Sequence, residues 1–213
     1  MYSFFDLDKI FPKFNIESMQ LANFFTASRI VLAPIFFVLY SVSNHSNISP
    51  KVTLPILILI FAYMQFTDFL DGYVARKYNM VSDFGKLFDP FADVLANMAV
   101  LLCFTVDGLL PSIFFLIILY REVSIVFVRM LAIKKGLVIG AKMLGKIKTV
   151  LYIAVGGVSL FIRLCIVYGF NSKNLMTVLT IFNISLYAIA VVFSLLSFYF
   201  YLMDYRKYSK MNA

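Results

Sequence analysis

The sequence predicts an all-α, polytopic membrane protein with six transmembrane helices and a short N-terminal interfacial helix. Its 213 residues are 62% hydrophobic and only 14% charged, whereas a soluble domain is nearer half apolar and a quarter charged. The mean hydropathy is +0.90. The length allows about six spans of roughly 20 residues with short loops, and it leaves no room for a soluble domain.

Residues 1–20 are too polar to cross a bilayer, because they mix aromatic side chains with Asp6, Lys9 and Glu17. Such a segment is typical of an interfacial helix that lies on the membrane surface. Pro12 is expected to bend or break it. Residues 21–213 are then expected to form one six-helix transmembrane domain. We expect no cleaved signal peptide, since a basic region followed by an apolar core is missing.

The six predicted spans follow one another with short polar connections. They cover approximately residues 23–42, 53–78, 84–104, 111–133, 149–170 and 175–203. Asp107, Gly108 and Pro111 predict a tight turn between the third and fourth spans. A basic linker is expected over residues 134–148, and a basic tail follows Asp204.

Positive charges are distributed unevenly between the two sides of the predicted bundle. If the spans alternate and the N-terminus is inside, the outer loops receive only Lys51 and Lys173, while most basic residues fall inside. This bias predicts a multi-pass protein of the cytoplasmic (inner) membrane with both termini in the cytoplasm. We attribute the net charge of +8 to this orientation and to anionic lipid headgroups, and not to nucleic acid.

Four aspartates stand at the ends of the second and third predicted spans. Asp68 and Asp71 are three residues apart, and Asp89 and Asp93 are four apart, so each pair shares one helix face. Ionisable residues in membrane segments are costly and are generally functional. Four carboxylates that face one another would repel, and a pair of divalent metal ions between them would remove that repulsion. The predicted orientation puts this cluster at the cytoplasmic face.

The aspartates belong to a longer pattern, D-x-x-D-G-x-x-A-R, followed after eight residues by G-x-x-x-D-x-x-x-D. Its fixed positions are Asp68, Asp71, Gly72, Ala75, Arg76, Gly85, Asp89 and Asp93. With this pattern at this spacing, the chain resembles the CDP-alcohol phosphotransferase family. The resemblance implies a six-span helical enzyme, usually a homodimer, that joins an alcohol to the phosphoryl group of a CDP-linked lipid and releases CMP.

The resemblance also implies a role for each position. The metal ligands would be Asp68, Asp71, Asp89 and Asp93, with two Mg²⁺ or Mn²⁺ ions per site, since these ions prefer carboxylate and phosphate oxygens. Asp93 would also be the general base that accepts the proton of the acceptor hydroxyl. The CDP-lipid would be bound by Asp68, Gly72, Ala75, Arg76 and Gly85, because small residues admit the nucleotide and an arginine can pair with phosphate.

A second polar constellation indicates the acceptor. Arg121 and Arg129 lie inside the fourth predicted span, where cations are costly. Arginines combined with lysines suit a dianionic phosphate, which favours glycerol 3-phosphate over a neutral or cationic alcohol. The residues predicted to bind the acceptor phosphate are Thr26, Arg29, Arg121, Arg129, Lys142, Lys146 and Lys148.

Four shorter stretches look like those of bacterial phosphatidylglycerophosphate synthases: T-x-x-R at 26–29, F-G-K-x-x-D-P-x-A-D at 84–93, Y-R-E at 120–122 and G-K-x-K-T at 145–149. Those synthases usually carry a lysine directly after the last aspartate, where this chain has Val94. The predicted reaction is direct transfer of the phosphatidyl group of CDP-diacylglycerol to glycerol 3-phosphate. Two alternatives stay open: the same chemistry with an inositol phosphate, serine or a choline-type alcohol, and a cation transporter.

Overall fold

The computed structural model confirms the predicted all-α class, because the part of the chain that it describes contains α-helices and no β-strand. It describes residues 17–45, 49–77, 85–134, 143–170 and 172–211. Within these ranges, only the backbone is described at residues 17–23, 44–45, 69, 71–77, 85–87, 133–134 and 208–211. The helices are α1 (Glu17–His45), α2 (Pro50–Lys77), α3 (Gly85–Val106), α4 (Ser112–Lys134), α5 (Met143–Val167) and α6 (Lys173–Met211).

Three predicted boundaries differ from the observed ones. Helix α1 begins at Glu17, so the last residues of the predicted interfacial segment continue the first helix, while residues 1–16 lie outside the described residues. The basic linker predicted over 134–148 is too long, because α5 already begins at Met143 and includes Lys146 and Lys148. Lysine is a good helix former, and the ammonium of Lys148 contacts Glu122 inside the bundle. The predicted basic tail after Asp204 continues α6.

Five of the six helices are long and apolar enough to cross a membrane: segments 24–43, 50–68, 88–106, 143–167 and 173–207. Helix α4 has 23 residues, but it is not one of these five, because it carries the charged residues Arg121, Glu122 and Arg129. These five helices indicate a multi-pass membrane protein. That α4 also crosses the membrane stays a prediction. The 39 residues of α6 give it a length of about 58 Å, more than a bilayer core of about 30 Å requires.

Helix α3 contacts α1, α4 and α5, while α2 packs against α1 and α5, and α6 packs against α4 and α5. Aromatic rings make two of the interhelical contacts edge to face: Tyr40 with Phe104 at 5.3 Å between centroids, and Phe114 with Tyr187 at 5.6 Å. Gly156 lets α5 approach its neighbours closely, since a Cβ there would lie 3.1 Å from Val100 Cγ1. Small residues commonly permit such approach between membrane helices.

The predicted tight turn between α3 and α4 is confirmed. Gly108 has a φ of 77°, which favours glycine, and the Leu109 N–H donates to Phe104 O at 2.9 Å. Next to this turn, Asp107 Oδ2 accepts a hydrogen bond from Tyr40 Oη at 2.8 Å and lies 3.3 Å from Arg163 Nη1. The ends of α1, α3 and α5 therefore meet at one end of the bundle, and their starts lie toward the other.

Candidate active site

Helix α1 connects the aspartates of α2 and α3. Thr26 and Arg29 lie one turn apart on α1, and both face the carboxylates. Thr26 Oγ1 donates to Asp89 Oδ1 at 2.9 Å. Arg29 Nη1 donates to Asp68 Oδ1 at 2.7 Å, and the same nitrogen donates to Asp93 Oδ1. Three of the four aspartates that the sequence singled out therefore meet around two side chains of α1.

The burial of this aspartate cluster is asymmetric. The Arg29 side chain is only 2% exposed, whereas Asp68 and Asp93 keep 37% and 33% of their side-chain surface. A buried guanidinium is tolerated because the carboxylates that it contacts compensate its charge. The carboxylates keep an accessible surface on which a further ligand can bind.

The remaining positions of the pattern lie beside this cluster on the same two helices. Asp71, Gly72, Ala75 and Arg76 continue α2 directly after Asp68, and Gly85 is the first residue of α3. Their side-chain surroundings lie outside the described part of the chain. Their roles toward metal and CDP-lipid stay predictions.

The donor set of the cluster fits a hard divalent cation, because Mg²⁺ and Mn²⁺ bind carboxylate oxygens. A cationic nitrogen, Arg29 Nη1, already lies between one oxygen of Asp68 and one of Asp93. Among the described side chains, no three His, Cys, Asp or Glu residues form a group that could hold a metal ion, and the Asp71 side chain is not one of those described. The predicted two-metal site stays a prediction.

A second polar cluster, here called the Glu122 cluster, lies between α4, α5 and α6. Glu122 Oε1 accepts from Arg121 Nη1 at 2.9 Å, contacts Lys148 Nζ, and lies 3.0 Å from Tyr152 Oη. Arg121 and Glu122 are nearly fully buried, with 2% and 3% of their side chains exposed. Buried ions need partners of opposite charge. Here Glu122 is the anionic partner of both Arg121 and Lys148.

Helix α6 completes the Glu122 cluster. Arg121 Nε donates to Ser194 O at 3.0 Å, and Arg121 Nη2 donates to Ser197 Oγ at 3.0 Å. The Tyr152 hydroxyl lies 2.7 Å from Ser194 Oγ. Tyr152, Ser194 and Ser197 were not among the residues that the sequence singled out. The signal was a serine pair at helical spacing and a tyrosine one turn after Lys148.

The residues predicted to bind the acceptor phosphate are therefore divided between two places. Thr26 and Arg29 contact the aspartates, whereas Arg121 and Lys148 contact Glu122. Arg129 is partly buried and Lys146 is exposed, while Lys142 lies outside the described residues. The assignment of these residues to an acceptor phosphate stays a prediction.

The sequence of this chain matches one known protein family. The sequence model of one family, CDP-alcohol phosphatidyltransferase, matches residues 19–183. The chain belongs to the CDP-alcohol phosphatidyltransferase family. The match includes the whole aspartate pattern, and it ends before Ser194 and Ser197 of α6. Enzymes of the CDP-alcohol phosphatidyltransferase family generally depend on a metal ion.

Individual relatives agree with this family. The chain is similar to the CDP-diacylglycerol–glycerol-3-phosphate 3-phosphatidyltransferase of Treponema pallidum, with 39% identity over 194 residues, 88% of this chain and 89% of the relative. It is 32% identical to the protein of that name from Mycoplasma genitalium over 205 residues, 89% of this chain and 85% of the relative. The Bacillus subtilis protein of that name is 36% identical over 139 residues, 61% of this chain and 70% of the relative.

The predicted family and the predicted enzyme class, a phosphatidyltransferase, are thus confirmed. The cation-transporter alternative loses its support, because the model of a transferase family matches the part of the chain that contains these aspartates.

Proposed function

We propose that this protein transfers the phosphatidyl group of CDP-diacylglycerol to glycerol 3-phosphate, giving phosphatidylglycerol phosphate and CMP. The observation that carries the proposal is that relatives aligned over 88% and 89% of this chain are named for this reaction. The two polar clusters suit its two substrates. The aspartates suit a metal-bound diphosphate, and the arginines and lysines suit a phosphorylated acceptor.

The aspartate cluster is the proposed place of the chemistry. Asp68, Asp71, Asp89 and Asp93 would hold the metal ions, Mg²⁺ or Mn²⁺, as the pattern predicts. When bound, these ions would neutralise the diphosphate and the charge that develops on the leaving CMP. The small residues Gly72, Ala75 and Gly85 would let the nucleotide approach the helices, and Arg76 would pair with a phosphate.

Asp93 is the proposed general base. Its carboxylate is partly exposed and lies in the first half of α3, where it accepts from Arg29. It would take the proton of the glycerol 3-phosphate hydroxyl while that oxygen forms a bond to the phosphorus of the phosphatidyl group. The bond from that phosphorus to the CMP oxygen breaks in the same step, with no covalent enzyme intermediate.

The Glu122 cluster would bind the phosphate of the acceptor. Glu122 holds Arg121 and Lys148 together and compensates one of their two positive charges. A net positive charge remains for a phosphate, and Arg129, Lys142 and Lys146 would add to it. An inositol phosphate would meet the same charges, whereas serine and choline would leave them without an anion.

Orientation and assembly complete the proposal. The excess of lysine and arginine in the predicted inner loops supports an inner-membrane protein whose active site and termini face the cytoplasm. A homodimer follows from the resemblance to the family. The proposed partners are thus CDP-diacylglycerol, glycerol 3-phosphate, membrane lipid and a second copy of the chain.

Replacing Arg121 tests the proposed acceptor pocket. We expect Arg121→Ala to raise the KM for glycerol 3-phosphate about tenfold or more, because a charged hydrogen bond contributes about 1.5–3 kcal/mol. The KM for CDP-diacylglycerol should change by less than about twofold, since the diphosphate would bind at the aspartates. Steady-state kinetics in mixed micelles measures both constants.

Arg163→Gln is the matched control, because Arg163 pairs with Asp107 at the opposite end of the bundle. It should change neither constant. Equal increases of both KM values in Arg121→Ala would contradict an acceptor pocket at the Glu122 cluster.

A further inference from the structure

Arg29 lies between two of the carboxylates that are predicted to bind a metal ion. One nitrogen, Nη1, donates to Asp68 Oδ1 at 2.7 Å and also to Asp93 Oδ1. Asp68 and Asp93 would hold a divalent ion through oxygens such as these. The guanidinium would compete with an ion for the same oxygens, because their volumes overlap and their charges repel.

We propose that Arg29 competes with a divalent cation for the Asp68–Asp93 pair, and that its guanidinium leaves this pair when the cation binds. The displaced guanidinium then becomes a donor for a phosphate of the metal-bound substrate. This inference rests on the proposed function, because it assumes that the aspartates take up a metal ion.

The charges around Arg29 favour such an exchange. Its guanidinium contacts two carboxylates, and a third, Asp89, is held one turn away by Thr26. Among the described side chains of the cluster, one arginine faces three aspartates, so this group keeps a net negative charge and an attraction for further positive charge. Asp68 and Asp93 are also about one-third exposed, and so an ion can reach their oxygens without unfolding of the bundle.

The pair of Arg163 and Asp107 differs from the Arg29 cluster in its burial. Arg163 Nη1 lies 3.3 Å from Asp107 Oδ2, and both side chains are about one-fifth exposed. Asp107 is further held by the hydroxyl of Tyr40. The Arg29 side chain is instead only 2% exposed, and it lies between two carboxylates. An ion that takes its place therefore displaces a buried positive charge.

The location of Arg29 also limits where its guanidinium can go. It lies on α1 on the same face as Thr26, between the second half of α2 and the first half of α3. A displaced guanidinium is stabilised further by another anion nearby, because an unpaired buried charge is unfavourable. The diphosphate of a substrate bound at the same aspartates is such an anion, and guanidinium pairs well with phosphate. Metal binding and substrate binding are thereby coupled through one side chain.

Direct measurement of Mn²⁺ binding tests the exchange without any turnover. The purified full-length protein in detergent micelles, free of substrate, is titrated with Mn²⁺, and unbound Mn²⁺ is followed by its electron paramagnetic resonance signal. We expect Arg29→Gln to bind Mn²⁺ about tenfold or more tightly than the unchanged protein, because a competing charge is gone. Arg29→Lys, which keeps the charge, should bind Mn²⁺ within about threefold of the unchanged protein.

Arg163→Gln serves as the control for general loosening and should leave the affinity unchanged. Affinity in Arg29→Gln that equals or falls below that of the unchanged protein would overturn the proposal. If the unchanged protein binds no Mn²⁺ at all, the metal-dependent part of the proposed function fails together with it. If the unchanged protein binds Mn²⁺ and Arg29→Gln binds no tighter, only the exchange fails.

A second measurement covers the case in which Arg29→Gln does not fold. In the unchanged protein labelled with ¹⁵N in the arginine side chains, the Arg29 signal is assigned by its absence from Arg29→Lys. Addition of Mg²⁺, which is diamagnetic, should shift this signal and leave that of Arg163 in place. An Arg29 signal that stays unchanged while Mg²⁺ saturates the site would refute the exchange.

Discussion

Asp93→Asn is expected to lower the turnover number by about 10² to 10⁴-fold, which is the usual contribution of a general base. Asparagine has nearly the same shape as aspartate but cannot accept the proton of the acceptor hydroxyl. The fold should persist, because Arg29 keeps its hydrogen bond to Asp68 and Thr26 keeps its bond to Asp89. Release of CMP at saturating substrates measures the effect.

Asp107→Asn is the matched control for Asp93→Asn. Asp107 also lies near one end of α3 and also pairs with an arginine, but it does so at the opposite end of the bundle. Its replacement should leave turnover within about threefold, since no step of the reaction involves that end. Turnover in Asp93→Asn comparable to that in Asp107→Asn would exclude Asp93 as the base.

Glu122→Ala should produce the largest loss of stability among the substitutions considered. Arg121 and Lys148 both contact the Oε1 atom that this change removes, and Arg121 is almost fully buried. Removal of one partner from a buried ion pair costs about 3–5 kcal/mol, because the other charge stays buried. For a chain of this length, that corresponds to a fall of about 6–20 °C in Tm. Thermal unfolding in micelles provides the measurement.

Tyr152→Phe distinguishes the contribution of the Glu122 ion pairs to stability from that of the hydrogen bonds around Tyr152. It removes a hydroxyl that lies 3.0 Å from Glu122 Oε1 and 2.7 Å from Ser194 Oγ, but it leaves both ion pairs in place. Loss of such a neutral hydrogen-bonding group costs about 1–3 kcal/mol. If Glu122→Ala unfolds at the same temperature as Tyr152→Phe, the ion pairs of Glu122 contribute nothing to stability.

Much of the fold could be predicted from sequence, because membrane helices are recognised from long apolar segments and their loops from glycine, proline and charge. The turn at Asp107–Gly108 is an example, since its glycine adopts the positive φ that the turn requires. The end of the basic linker could not be predicted in this way. Lys146 and Lys148 look like loop residues by charge alone, and only the buried Glu122 explains why Lys148 belongs to a helix.

The meeting of the aspartates was predictable for a related reason. Helical spacing puts Asp68 and Asp71 on one face and Asp89 and Asp93 on another, and the cost of charge in a membrane segment marks them as functional. Spacing along one helix does not reveal what stands opposite. That Arg29 would contact Asp68 and Asp93, and that Arg121 would contact α6, depends on which helices are neighbours. Such contacts required the three-dimensional structure.

The identity of the acceptor is the central claim, and one assay tests it most directly. Membranes that contain the protein are given CDP-diacylglycerol, a divalent metal ion and one labelled acceptor: glycerol 3-phosphate, an inositol phosphate, serine or choline. We predict metal-dependent release of CMP, with labelled lipid formed from glycerol 3-phosphate alone and lost in Asp93→Asn. Labelled lipid from one of the other alcohols, with none from glycerol 3-phosphate, would contradict the proposed acceptor and the role of the Glu122 cluster.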